Sequence, residues 1–283
     1  MKLLIGADPE MFMTNEQGLV RNAHGVIPGT KEAPHSIPGG AIQVDGLALE
    51  VNIDPVETPK DFARNVTLVL GGLQANLPEN YGYELKSHHI FPKEYMANQP
   101  AKSLELGCDP DFNAWTGAPN PAPDGATNLR TAAGHIHFGW TQDEVLDDWF
   151  LSLCCDFVKH LDYSLGLYTH LLDNDVERKK LYGKAGAFRP KPYGLEYRTP
   201  NNAWLQSPRR METVFNVATK AWKRYKTNMS YHHNPKMRRC VGVAYLNDNY
   251  VTGLINNTLN MDETKIVKKY ACLLYTSPSP RDS

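Results

Sequence analysis

Short stretches of alternating apolar and polar residues run through the chain and predict β-strands. Leu3–Ile5 leads into Asp8 and Glu10, and Ala41–Val44, Leu47–Ile53, Tyr81–Lys86, Ala132–Trp140 and Tyr193–Thr199 carry the same period. Three segments switch to helical spacing. Thr58-Pro59-Lys60-Asp61 supplies a cap, a proline at the first helical position and an acid in the first turn. Phe62, Val66, Val69, Leu70, Leu73 and Leu77 then fall on one face. Thr141-Gln142-Asp143-Glu144 reads as a capping box opening a helix with Leu146, Phe150, Leu153, Phe157 and Leu161 on its stripe. Ser207-Pro208 opens a third, with Met211, Val214, Phe215, Ala218, Trp222 and Tyr225 as its apolar face. A weaker helical pattern covers Asp262–Tyr270. Gly25–Gly40 and Asp109–Asn128 are rich in Pro and Gly, and are expected to be lids or substrate walls.

Composition narrows the classes. With 283 residues, 41% of them hydrophobic, the chain can bury one sizeable core. Lys and Arg number 30 against 31 Asp and Glu, a net charge of −1, so no basic excess points to nucleic acid. No apolar run is long enough for a membrane-spanning helix, and the apolar start before Asp8 is too short for a signal peptide. The five cysteines lack regular spacing, and Cys154 and Cys155 are adjacent on an expected helix. A reducing, cytoplasmic setting is expected. Cys272–Asp282 resembles the conceptual translation of a sequencing adapter. The native chain is therefore expected to break off near Ala271, with 1–271 as one domain and 272–283 excluded from it.

Four strand-like segments carry acids, imidazoles or a guanidinium two residues apart, which places them on one face of a strand. Asp8 and Glu10 flank Pro9; the dipeptide Asp8-Pro9 also suits a turn. Glu50 shares a face with Asn52, either a ligand face or a solvated one, and Asp45-Gly46 also suits a hairpin turn. His135 and His137 lie between Gly134 and Gly139, and glycines allow close approach of a backbone or ligand. One His as a metal ligand beside carboxylates and one as a phosphate or substrate contact fits better than a closed zinc site, though a structural role for His137 stays open. Glu196 and Arg198 share a face, as a metal-and-phosphate pair or as an exposed ion pair. Lys184, Arg189 and Arg130 either reach an anion or are solvated, whereas Lys191 reads as solvated. The paired His88-His89 and His232-His233 read as surface residues. Phosphate-loop, dinucleotide-binding and serine-elbow motifs are missing from the sequence.

Taken in order, these segments resemble the carboxylate–amine ligase superfamily that includes glutamine synthetase and glutamate–cysteine ligase. The nearest resemblance is to the phage-type amidoligases, type 2, in which Gly-Cys-Asp-Pro-Asp-Phe, here 107–112, also occurs. The resemblance spans roughly residues 3–225. It implies an α+β fold, with a curved, mostly antiparallel sheet forming a funnel and helices on its outer face. It also implies ATP, two or three Mg²⁺ ions, an acyl-phosphate intermediate, and a small-molecule or peptide carboxylate and amine as substrates. Carried onto this chain, Glu10, Glu50 and Glu196 would hold metal with Asp8 assisting. His135 would hold metal or phosphate, Arg198 would clamp phosphate, and Asp45 would orient a ligand or the incoming amine. His137, Arg189, Lys184 and Arg130 complete the candidate site. Homo-oligomers, and a phage-encoded protein in a bacterial cytoplasm, are compatible with the resemblance. Two departures stand out: Asp8 replaces a Glu common in the family, and Pro9 is expected to interrupt its strand. A metal-dependent hydrolase using His135, His137 and the acids is the alternative.

Overall fold

Among the described residues, thirteen strands and six α-helices follow the chain in the computed structural model. It describes residues 2–227 apart from 105, 107–110, 123–126 and 174–175. The helical pattern at Asp262–Tyr270, His232-His233 and the tail 272–283 lie outside the described residues. The strands are β1 (Leu4–Thr14), β2 (Val20–Arg21), β3 (His35–Ile37), β4 (Gly40–Asp45), β5 (Ala48–Val56), β6 (Gly82–Glu84) and β7 (His88–Ile90). Then come β8 (Phe112–Asn113), β9 (Ala118–Pro119), β10 (Leu129–Thr131), β11 (Gly134–Gly139), β12 (Ala187–Lys191) and β13 (Gly194–Tyr197). The helices are α1 (Pro59–Asn76), α2 (Lys93–Ala97), α3 (Ala101–Leu104), α4 (Asp148–Leu161), α5 (Leu167–Leu172) and α6 (Pro208–Lys226).

One large sheet runs β3-β4-β5-β1-β11-β13-β12-β8-β9, with β2 and β6 on the far end of β1; β7 and β10 form a separate pair. Every strand pair among the described residues is antiparallel. The fold is thus mixed α/β, with a mostly antiparallel sheet and helices packed on it.

The two faces of the sheet separate by parity. Ile5, Ala7 and Met11 of β1, Leu49, Val51 and Ile53 of β5, Ile136 and Phe138 of β11, and Leu195 and Tyr197 of β13 are buried. Helix α1 packs on β5, α4 packs on β12 and β13, and α6 packs on both α1 and α4. Phe62 stacks on Trp204 at 5.7 Å, and Phe157 meets Phe138 edge-on at 5.1 Å. Opposite these residues in the pleat lie Asp8, Glu10, Glu50, His135, His137 and Glu196. A smaller apolar cluster of Phe12, Val20, Leu47, Phe91, Met96 and Ala132 adjoins them.

Local chemistry explains where the helices start. Thr58 Oγ1 accepts from the Asp61 backbone N–H (3.2 Å) and its hydroxyl donates to the Asp61 carboxylate (2.7 Å). Ser207 caps α6 in the same way, accepting from Arg210 N–H at 3.3 Å. The capping box expected at Thr141 does not start a helix. Its backbone is tied to the turn before β13: Trp140 N–H donates to Tyr193 O (2.9 Å) and Glu144 N–H to Pro192 O (2.9 Å). Asp143 sits at φ 52°. Helix α4 begins later, with Asp147 accepting from Phe150 N–H at 2.8 Å. Leu146, expected on the buried stripe, is 51% exposed.

Two further expectations are corrected. Pro9 does not break its strand: β1 runs unbroken from Leu4 to Thr14, Pro9 pairs with Gly134, and the bulge falls earlier, between Ile5 and Ala7. His89 is not a free surface residue, because its ring meets Phe91 at 4.6 Å and Phe12 at 5.9 Å. Cys154 and Cys155 are both free on α4. Among the described residues no helix is long and apolar enough to cross a membrane.

Candidate active site

Strand register builds the site. Opposite partners in an antiparallel pair share a face. Gln43 stands opposite Glu50, Glu50 opposite Glu10, Asp8 opposite His135, His137 opposite Glu196, and Glu196 opposite Arg189. These pairings draw a polar stripe across six neighbouring strands, β4-β5-β1-β11-β13-β12, on the face away from the helices. Four segments far apart in sequence therefore supply one surface.

At the centre of the stripe, Asp8 Oδ1 lies 3.0 Å from His137 Nε2 and 3.6 Å from His135 Nδ1, and His135 Nδ1 lies 3.4 Å from Glu196 Oε1. One ligand atom each from Asp8, His137 and Glu196 falls within 4.8 Å of the others. Asp8 Oδ1 and His137 Nε2 are buried, yet the angles between them do not make a hydrogen bond. Two carboxylates and an imidazole whose oxygens and ring nitrogen face one another are a donor set for a hard divalent cation. The other ring nitrogen, Nδ1 of His137, is 2.6 Å from the Tyr193 hydroxyl. An Nδ1–H donated to Tyr193 would leave the Nε2 lone pair facing Asp8 and Glu196.

Cations gather at the β12–β13 end. Glu196 is contacted by Arg198, by Arg189 Nη1 (3.2 Å) and by Lys191 Nζ (3.3 Å). The Lys191 reading is thus corrected: in strand β12 it shares a face with Arg189 and is aimed at the same carboxylate, not at solvent. Arg198 also approaches Asp111 through Nε at 3.5 Å. Burial is the largest influence on Glu196 and would raise it, but Arg198, His135 and His137 together hold the carboxyl down at about 2. In the same way His137 and His135 hold Asp8 well below the usual carboxylate range against its burial. His137 is raised, because against its burial Asp8 and Glu196 together favour the charged ring, whereas burial, with Arg198 adding to it, takes His135 down to about 4.

Acids gather at the other end. Glu10 Oε2 accepts from Ala133 N–H (2.8 Å), and Glu50 accepts from the Gln43 amide (2.8 Å), which in turn accepts from Asn52 (2.8 Å). Burial, reinforced by Asp45, raises Glu10 to about 7; burial, with Asp8, Asp45 and Glu10 adding to it, raises Glu50 well above its ordinary value. Asp45 is paired with Lys31 at 2.8 Å. A cavity of about 70 Å³ opens beside these acids, lined by Glu10, Asp45, His135, Arg198, Leu47 and Tyr182, among others.

Two candidates stand apart from the stripe. Arg130 borders the cavity, but its guanidinium donates to the carbonyls of Thr127 (2.7 Å), Leu129 (2.9 Å) and Leu104 (3.0 Å), so it braces the loop ahead of β11. Lys184 is exposed, and it is its carbonyl that accepts from Thr199 Oγ1 at 3.0 Å.

Several residues that hold the site together escaped the sequence reading. Asn202 donates to the carbonyls of Glu10 (2.9 Å) and Lys86 (3.0 Å), tying the segment after β13 to β1. Buried Arg178 donates to Thr199 O (3.0 Å) and Arg198 O (3.1 Å). A Cβ at Gly183, whose φ is +73°, would fall 1.9 Å from the Arg178 guanidinium. Nothing local marks Asn202 or Arg178 in sequence. Lys191 did carry a signal, the alternation Arg189-x-Lys191.

No curated protein matches the chain. It is similar to a bifunctional glutathione synthetase from Pasteurella multocida, at 12% identity and a TM-score of 0.44, over 96% of this chain and 49% of that one. The chain thus spans about half the length of that protein. A family model described as phage phiEco32-like COOH.NH2 ligase, type 2, matches residues 127–267, which include His135, His137, Glu196 and Arg198. That model is of the family that the sequence motifs resemble.

Proposed function

We propose that the protein joins a carboxylate to an amine at the expense of ATP, with Mg²⁺ held on the polar stripe. The observation carrying this reading is the juxtaposition of the Asp8–His137–Glu196 ligand atoms with the cations Arg189, Lys191 and Arg198 on one face. Phosphoryl transfer needs positioned positive charge more than a protein nucleophile, and that is what this end of the stripe offers.

Asp8, His137 and Glu196 would hold one ion, with His135 as a neighbour, and Glu10 and Glu50 would hold a second. Bound there, divalent metal would neutralise phosphate charge and align the phosphates with the substrate carboxylate. Arg198 and Arg189 would take the phosphate oxygens when Glu196 turns to metal. The substrate would pass through an acyl phosphate that the amine attacks, phosphate leaving as the amide forms. A neutral His135, with its basicity depressed, adds no repulsion against metal. The acid end, with Asp45 exchanging Lys31 for a substrate ammonium, suits the amine. Curvature of the sheet into a funnel, a cytoplasmic location and assembly into homo-oligomers belong to the same reading.

The test is ADP release from ATP and Mg²⁺ with pooled acids and amines, followed by mass analysis of the product. An amide heavier than the acid by the amine minus water supports the ligase. Absence of ADP from every pool, together with nucleotide-independent cleavage of an amide by the Zn²⁺- or Mn²⁺-loaded protein, would replace it with the hydrolase.

A further inference from the structure

Asp162 lies outside the stripe and is fully buried, yet three separate segments converge on it. Its Oδ2 accepts from the Trp115 indole N–H (2.6 Å) and from Gly186 N–H (2.7 Å). Its Oδ1 accepts from the Tyr197 hydroxyl (2.7 Å) and, more distantly, from Thr199 Oγ1 (3.5 Å). It opens the π-helical turn Asp162–Gly166, between α4 and α5. Such turns are rare overall but frequent at functional sites. The segments joined have a common destination. Tyr197 stands between Glu196 and Arg198, and Thr199 follows them. Trp115 belongs to the hairpin β8–β9, whose leading residue Asp111 contacts Arg198. A buried carboxylate is costly unless its acceptors are filled, and here the donors filling it come from both sides of Arg198.

We propose that Asp162 is a positioning residue for the candidate active site. Through Tyr197 and Thr199 it fixes the aim of Glu196 and Arg198. Through Trp115 it seats the hairpin that brings Asp111 to Arg198. This rests on the proposed metal site only for one of its two readouts.

Three variants separate the arms: Tyr197→Phe and Trp115→Phe each remove one donor while keeping a ring, and Asp162→Asn perturbs both. Backbone hydrogen exchange is followed by mass spectrometry, and Mn²⁺ affinity by electron paramagnetic resonance. Expected is at least tenfold faster exchange in 194–199 for Tyr197→Phe, in 111–119 for Trp115→Phe, and in both for Asp162→Asn, with peptides of β4 and β5 unchanged. Mn²⁺ binding should weaken about tenfold in Tyr197→Phe and less than twofold in Trp115→Phe. Uniform acceleration across all peptides, or exchange at 194–199 and 111–119 matching wild type, overturns the proposal and leaves Asp162 a core residue. Wild-type protein that ignores Mn²⁺ strikes the metal reading alone, since the exchange pattern still decides the role of Asp162.

Discussion

Glu196 is contacted by three cations, Arg198, Arg189 and Lys191, and by the His135 imidazole. Glu196→Gln should remove at least 99% of ADP release, and Arg198→Ala should do the same, both proteins remaining folded by circular dichroism. Wild-type-like turnover in either variant would remove the site from consideration. Glu10 gives a pH prediction of definite sign. Its carboxyl titrates near 7 in the fold against an ordinary 4.5, so between those values the folded state holds the extra proton. The contribution of Glu10 to stability is therefore fully present below pH 4.5 and is lost as pH rises to 7, by on the order of 1 to 3 kcal/mol. Metal-free Glu10→Gln should lose less melting temperature between pH 4.5 and 7 than metal-free wild type. Parallel curves for the two would reject the assignment. His135 has the opposite sign, since its folded value of about 4 lies below the ordinary 6.5, and it stays in place in both proteins.

Elements differ in how openly the chain announces them. The α1 cap is written in four consecutive residues, and Thr58→Ala should cost about 1 kcal/mol, seen as a lower denaturation midpoint with turnover unaffected. The Thr141 box looked equivalent, but backbone hydrogen bonds to Pro192 and Tyr193 hold it out of helix; a tertiary contact fifty residues away overrides the local signal. The same limit explains Pro9, since a proline in a central strand is tolerated only in a register that the sequence does not display. The strands carrying Asp8, Glu50, His137 and Glu196 were readable from alternation alone. Their neighbours were not, because β8 and β9 are two residues each and Pro190 interrupts β12. Gly134 marks a close approach: a Cβ there would lie 2.2 Å from Asn201 O and 2.4 Å from Trp204 Nε1. Gly134→Ala should therefore cost about 1 to 3 kcal/mol by denaturant titration, and should also weaken metal binding by shifting His135. A variant as stable as wild type would show that the backbone relaxes at no cost. Shortening the hairpin after Asp111 should raise the KM for the acid or amine more than that for ATP; equal changes would argue against a role in covering substrate.

Over the molecule as a whole, the polar face is electrically divided. Glu10, Glu50 and Asp45 crowd one end and Arg189, Lys191 and Arg198 the other, a polarity that individual motifs did not reveal because register, not spacing, aligns them. A divalent cation should consequently stabilise the fold: at a hundred times its dissociation constant the gain is about 2.7 kcal/mol. Differential scanning calorimetry should show the melting temperature rising with Mn²⁺ in wild type and staying flat in Asp8→Asn. A flat response in wild type would show that the stripe holds no metal. The family resemblance was readable in sequence because the acid and imidazole motifs occur in a set order. The bracing by Asn202, Arg178 and Asp162 was not, since each acts through backbone carbonyls and donors that only the folded chain brings near.

The central strand β1 precedes its neighbour β11 by more than a hundred residues, and β13 comes later still. On a ribosome, β5 can pair with Glu10 early, but Asp8 must wait for His135 until almost half of the chain has emerged. A nascent chain halted before Gly194 would have the first acids and both imidazoles but no Glu196 or Arg198, so ligand binding should arise abruptly with the final strands rather than accumulate with length.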